Sequence, residues 1–181
     1  GGSGGSYRRH SYVPGDGWIS SVEASTAGGG SSNAVIMADV VTATPGLETI
    51  YALNDSAIWI WQHGQFQPTP VSPVSHTVSQ LAAVDWNGDG FADILAATSA
   101  GVKLFVNQRT TNWTVTPAVF LSNGAPIQDI AILDLNGDGM PDAAAVTETG
   151  AILLIYNRSG AVDLSISSEA VLPLLPGETG T

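Results

Sequence analysis

The chain has 181 residues, enough for one domain with a core, and is 44% hydrophobic but only 12% charged. Five Lys and Arg against sixteen Asp and Glu give a formal net charge of −11, which leaves no basic face for nucleic acid or an anionic membrane. The absence of cysteine excludes disulfides, thiolate zinc sites and cysteine nucleophiles, and no run reaches the ~18 apolar residues of a membrane span.

Residues 1–6, Gly-Gly-Ser-Gly-Gly-Ser, read as a flexible spacer and contribute nothing to the fold. No signal peptide precedes them, so a secreted protein would be present here in its mature or trimmed form. Residues 7–31 follow as an N-terminal extension, in which Trp18–Thr26 has the character of an outer strand. A first repeat unit occupies residues 32–77. Its strands are Asn33–Asp39, Leu47–Leu53, Ala57–Gln62 and an outer strand over Gln65–Val74.

A second unit, residues 78–126, runs Val78–Val84 into the acidic loop Asp85-Trp-Asn87-Gly-Asp89-Gly-Phe91-Ala-Asp93. It leaves by Ile94–Ala97, turns at Thr98–Gly101, continues as Val102–Val106 and ends on an outer strand over Trp113–Leu121. The third unit, residues 127–181 with the C-terminal tail, repeats this through Asp134-Leu-Asn136-Gly-Asp138-Gly-Met140-Pro-Asp142. Its outer strand is expected over Val162–Leu172. The two loops begin 49 residues apart, at Asp85 and Asp134. The first unit has Val40–Gly46 in place of such a loop, with carboxylates only at Asp39 and Glu48, so it is expected to be metal-free.

A period of this length, made of Val, Ile, Ala and Thr strands with Gly turns, predicts an all-β fold of four-stranded antiparallel propeller blades. Pro68, Pro70, Pro73 and Pro117 suit edge strands, where a missing N–H breaks no ladder bond. Three blades are too few to close a ring of the usual ~4–8, so their open faces call for a second copy or a missing propeller half. A six-bladed dimeric ring would be the closed version.

The loop pattern has a direct chemical meaning. Asp85, Asn87 and Asp89 place side-chain oxygens around a tight turn, Phe91 offers its carbonyl and Asp93 closes the shell. Asp134, Asn136, Asp138, Met140 and Asp142 do the same in the second loop. Hard oxygen donors in such number suit Ca2+, giving two sites. The EF-hand reading fails, since its twelfth position needs a Glu and Ala96 and Ala145 stand there. Two bound ions would bring the net charge from −11 to −7.

With apolar strands on both sides, Asp85–Asp93 and Asp134–Asp142 resemble the FG-GAP/VCBS repeats of integrin-α-type β-propellers. The resemblance spans residues 32–160 and is weakest in the first unit. It implies an extracellular, calcium-stabilised propeller used for adhesion, ligand binding or assembly, with structural calcium and no substrate.

Three sequons, at Asn54, Asn112 and Asn157, are candidate N-glycosylation sites at turns or strand ends. Trp59 and Trp61 alternate with Ile58 and Ile60, so both indoles share one face, as core packing or as a platform for a sugar ring. His10, His63 and His76 form no ligand or triad spacing, and no nucleophile elbow or phosphate loop occurs. The reading is therefore a non-enzymatic, extracellular binding or assembly module whose partner is a protein or glycan ligand or another copy of itself. A subunit of an extracellular fibre, a carbohydrate-binding lectin and an accessory piece of a secreted enzyme are the alternatives.

Overall fold

The computed structural model describes residues 6–25, 32–41, 46–53, 57–62, 69–73, 76–109, 118–120 and 124–157. Among them every regular element is a strand and none is a helix. Apolar residues at period two, punctuated by Gly and Asx turns, supply no 3.6-residue stripe for a helix to bury.

The N-terminal extension differs from its sequence reading. Strands β1 (Ser6–Val13) and β2 (Gly17–Ser25) pair as a two-stranded antiparallel hairpin. Its turn, Pro14-Gly15-Asp16, closes with Asp16 N–H donating to Val13 O at 3.1 Å. The strand expected over Trp18–Thr26 is described as Gly17–Ser25 and has a partner, because this Pro-Gly-Asp-Gly sequence sends the chain straight back along residues 6–13; Thr26 lies outside the described residues. Ser6, counted with the spacer, already belongs to β1.

The remaining strands form three antiparallel meanders. Unit 1 contains β3 (Ser32–Ala38), β4 (Glu48–Leu53), β5 (Ala57–Trp61) and β6 (Thr69–Pro73), hydrogen-bonded in that order. Unit 2 contains β7 (Val78–Val84), β8 (Asp93–Thr98), β9 (Gly101–Phe105) and β10 (Ala118–Phe120). Unit 3 shows β11 (Ile127–Leu133), β12 (Asp142–Thr147) and β13 (Ile152–Ile155). These are propeller-blade-like units. Pro70 and Pro73 lie in β6 at the sheet edge, as their missing N–H requires. The outer strand expected over Trp113–Leu121 is described only at Ala118–Phe120, and Val162–Leu172, Pro68 and Pro117 lie outside the described residues.

Each unit carries a bulge at the same place. The register of the first strand pair shifts between Ser32 and Ala34, between Val78 and Gln80, and between Ile127 and Asp129. An extra residue re-aims its side chain. At Ser79 this sends the hydroxyl into the next unit, where Oγ donates to Ile127 O at 2.6 Å.

The units stack face to face through their first strands, β3 on β7 and β7 on β11. Strand alternation sorts the side chains into two seams. Ile36, Ile50, Ile58 and Ile60 of unit 1 meet Leu81, Ile94, Ala96 and Phe105 of unit 2. On the other side of unit 2, Leu95, Ala97, Val102 and Leu104 meet Ile127, Ile130, Ala143 and Ile155 of unit 3. Every residue of the intervening β8 is buried. Truncating one such side chain to alanine costs about 2–5 kcal/mol. Trp59 and Trp61 face away from the first seam and pack with Tyr51. Trp61 is 4% exposed, so the pair is packing rather than an open platform for a sugar.

Candidate metal centre

Both acidic loops bridge the first and second strands of their units, β7 to β8 and β11 to β12. Each turns through two glycines in the left-handed region, Gly88 (φ 73°) and Gly90 (φ 87°) in one and Gly137 (φ 76°) and Gly139 (φ 84°) in the other. A Cβ at these positions would be strained, and without the bends the oxygens could not converge.

The first loop is organised by its own N–H groups. Asp89 N–H is shared between Asp85 Oδ1 and Asn87 Oδ1, each 3.0 Å away, so these two oxygens meet at one point. Asp85 Oδ2 accepts Gly90 N–H at 2.8 Å, Asp89 Oδ1 accepts Phe91 N–H at 3.0 Å, and Asn87 Nδ2 donates to Asp89 Oδ2 at 3.2 Å. The second loop repeats the scheme with one change, since Asp134 Oδ1 takes the Gly137 N–H where Asp85 Oδ1 takes that of Asp89. Asp134 accepts Gly137 and Gly139 N–H at 2.7 and 2.9 Å, Asn136 Oδ1 accepts Asp138 N–H at 2.9 Å, and Asp138 Oδ1 accepts Met140 N–H at 2.8 Å.

The ninth-position aspartates work differently. Asp93 is fully buried and accepts Trp86 N–H on Oδ2 (3.0 Å) and Asn107 N–H on Oδ1 (2.7 Å). Asp142, also fully buried, accepts Leu135 and Asn157 N–H at 2.9 and 2.7 Å. Each is a strut from the loop base to the end of the third strand. Burial pushes the Asp93 carboxyl up to about 6; the Asn107 and Trp86 N–H bonds oppose this rise and the Asp89 charge adds to it. Asp134 lies on the exposed side, held below its ordinary range chiefly by Gly139 N–H.

Among the described residues, no three carboxylate or imidazole side chains gather around one point. Asp85, Asn87 and Asp89 come together at the mouth of their loop, whereas Asp93 turns inward to its strut and does not close a shell in this conformation. The donor set nevertheless fits a hard cation. Each loop offers three carboxylates and an amide oxygen, and a carboxylate oxygen that accepts one N–H keeps a second lone pair.

Three features of the site escaped the sequence reading. Asn107 and Asn157 are buried clasps between units. Asn107 Nδ2 donates to Val40 O in unit 1 at 3.0 Å and to Ala92 O at 3.1 Å, while Asn157 Nδ2 donates to Trp86 O in unit 2. Asn157 therefore does not suit a glycan, since its amide is committed inside the protein; Asn54 and Asn112 lie outside the described residues. Arg109 holds only the first loop, with Nη2 donating to Asp89 O at 3.0 Å and lying 3.4 Å from Asp89 Oδ2. Its guanidinium also stacks 4.5 Å from the Phe91 ring centre. Glu48 keeps the strut of the loop-less unit, its Oε2 accepting Val40 and Val41 N–H at 2.9 and 3.3 Å. A paired Asn at near-equal distance after each ninth-position Asp was the available signal for the clasps.

No curated protein matches the chain. Residues 85–145, which hold both loops and the sheet strands between them, match the family described as the FG-GAP-like repeat.

Proposed function

We propose that the protein is a non-enzymatic, extracellular recognition or assembly module whose blade-like units are held by structural calcium. The observation that carries this reading is the duplicated loop, in which an all-oxygen donor set is held by three equivalent backbone bonds in each of two units. Asp85, Asn87 and Asp89, and their counterparts Asp134, Asn136 and Asp138, would hold the ion, with Asp93 and Asp142 bracing the loop beneath. Bound there, the cation would offset the mutual repulsion of three carboxylates per loop. The family match to FG-GAP-like repeats supports an adhesion-type role, and no helix among the described residues is long and apolar enough to cross a membrane.

The test is thermal unfolding of the full chain in calcium and in chelator. Occupancy at a hundred times the dissociation constant adds ~2.7 kcal/mol per site, so the melting temperature should fall clearly when calcium is removed. Superimposable melting curves would refute structural calcium.

A further inference from the structure

The dipeptide Asn-Gly recurs at the same place in both acidic loops, as Asn87-Gly88 and Asn136-Gly137. An Asn side chain is thermolabile because the backbone nitrogen of the next residue can attack its amide carbon, and a following Gly puts no Cβ in the way. The two copies are not held alike.

At Asn136 the parts of that reaction stand in place. Gly137 N–H, which must lose its proton as the nitrogen attacks, donates to Asp134 Oδ1 at 2.7 Å, within the reach of a general base. The N–H lies in the peptide plane, and the nitrogen attacks through the lone pair above that plane, so the two do not compete. Asn136 Oδ1, on which negative charge gathers as the bond forms, accepts Asp138 N–H at 2.9 Å. Asn136 and Gly137 are exposed, so water reaches the product. In the first loop Asp85 Oδ1 takes Asp89 N–H in place of that of Gly88. Asn87 Oδ1 must share the same Asp89 N–H, and Asn87 is half-buried. Arg109 further holds Asp89, the residue to which Asn87 Nδ2 donates.

We propose that Asn136 is a self-modification site, which converts by way of a cyclic imide with Gly137 and so changes the ligand set of the second loop. Gly137 N bonds to Asn136 Cγ, the Cγ–Nδ2 bond breaks, and ammonia leaves with the proton that Asp134 takes from Gly137 N. Water then opens the ring. Addition at Cγ restores the peptide and leaves aspartate at position 136, a further carboxylate beside Asp134 and Asp138. Addition at the main-chain carbonyl carbon leaves isoaspartate, which inserts a methylene into the backbone between Asp134 and Asp138 and takes their oxygens out of register. None of these steps requires a bound ion.

The test is incubation of the full chain in chelator, at a temperature where circular dichroism shows it folded, followed by peptide mapping and an isoaspartate assay. Conversion at Asn136 should run several-fold ahead of conversion at Asn87. In urea the two should draw level, since each is then the same Asn-Gly-Asp-Gly sequence in an open chain. Asn123-Gly124 maps to a separate peptide, and Asn123 lies outside the described residues. Asp134→Asn keeps an acceptor for Gly137 N–H but is a far weaker base, so it should bring Asn136 down to the rate of Asn87. Equal rates in the folded chain, a lead at Asn136 that persists in urea, or an Asp134→Asn variant converting at the wild-type rate would overturn the proposal. Calcium should slow Asn136 by engaging Asp134, an expectation that rests on the proposed ion site. If it did not, while the order in the folded chain held, the calcium reading would fail and the modification site would stand.

Discussion

Replacing Asn107 with alanine tests the clasp between units 1 and 2 directly. The backbone bond from Asn107 N–H to Asp93 is untouched, so the perturbation is confined to the side chain. Three contacts disappear: Nδ2 to Val40 O, Nδ2 to Ala92 O, and Oδ1 from Arg109 N–H. Arg109 is exposed and its N–H recovers a water. Val40 is buried and Ala92 half-buried, so their carbonyls lose a donor that solvent replaces poorly. At about 1–3 kcal/mol for each buried group left unpaired, with Ala92 at the low end, the cost is about 2–4 kcal/mol. That is a large fraction of the ~5–15 kcal/mol that holds a typical domain together. The assay is urea unfolding followed by tryptophan fluorescence, in which the midpoint should fall while the slope is unchanged. Gln108→Ala, one residue away and exposed, should stay within about 0.5 kcal/mol of the wild type. Asn157→Ala should be destabilising in its own right, and the two losses should add to within about 0.5 kcal/mol because they lie in different seams. If Asn107→Ala unfolds with the Gln108→Ala control, the clasp contributes nothing and the reasoning fails.

Asp89→Ala and Asp138→Ala should each lower the calcium stoichiometry from two to one by titration calorimetry, and a stoichiometry left at two would show that these carboxylates are not ligands. Arg109→Asn removes the guanidinium from Asp89 while keeping a residue that tolerates the φ of 59° at this position. Because the exposed ion pair is worth only ~0–1 kcal/mol, stability should barely change, while calcium binding by the first loop, measured in an Asp138→Ala background, should tighten several-fold. Burial raises the Glu48 carboxyl above its ordinary value of 4.5, partly opposed by the Val40 and Val41 N–H bonds. The folded chain then holds this proton more tightly than the unfolded one. The group's stabilising contribution is full below pH 4.5 and is lost as pH rises through the raised value. Glu48→Gln should flatten that part of the stability–pH curve, and an unaltered curve would contradict the assignment.

The strands and the loops were legible because both rest on local rules. Alternation at Ala57–Trp61 put Ile58 and Ile60 on one face and the two tryptophans on the other, and the structure keeps that division. The spacing of Asp, Asn and Gly located both loops, and Asp85, Asn87 and Asp89 do converge there. What stayed hidden is non-local. Asn157 followed by Arg and Ser reads as a sequon, and only the fold shows its amide reaching Trp86, 71 residues back. Asp93 fits a ligand pattern equally well as a ligand or as a strut, and burial under the loop decides which bonds it makes. The pairing of β1 with β2 was missed because Tyr7–Tyr12 is polar and shows no alternation, although its Pro-Gly-Asp-Gly turn was in plain view.

The complete burial of β8 has a consequence for how the molecule could grow or shrink. A middle sheet with two apolar faces couples its neighbours as an interior site couples the ends of a short one-dimensional lattice. Removing residues 78–126 would delete both seams at once, yet it would bring the trailing face of unit 1 against the leading face of unit 3, the same two kinds of face that meet at each existing seam. Duplicating that segment would add one seam and expose nothing new. By that logic, changes in length by whole periods should be tolerated far better than changes by fractions of one.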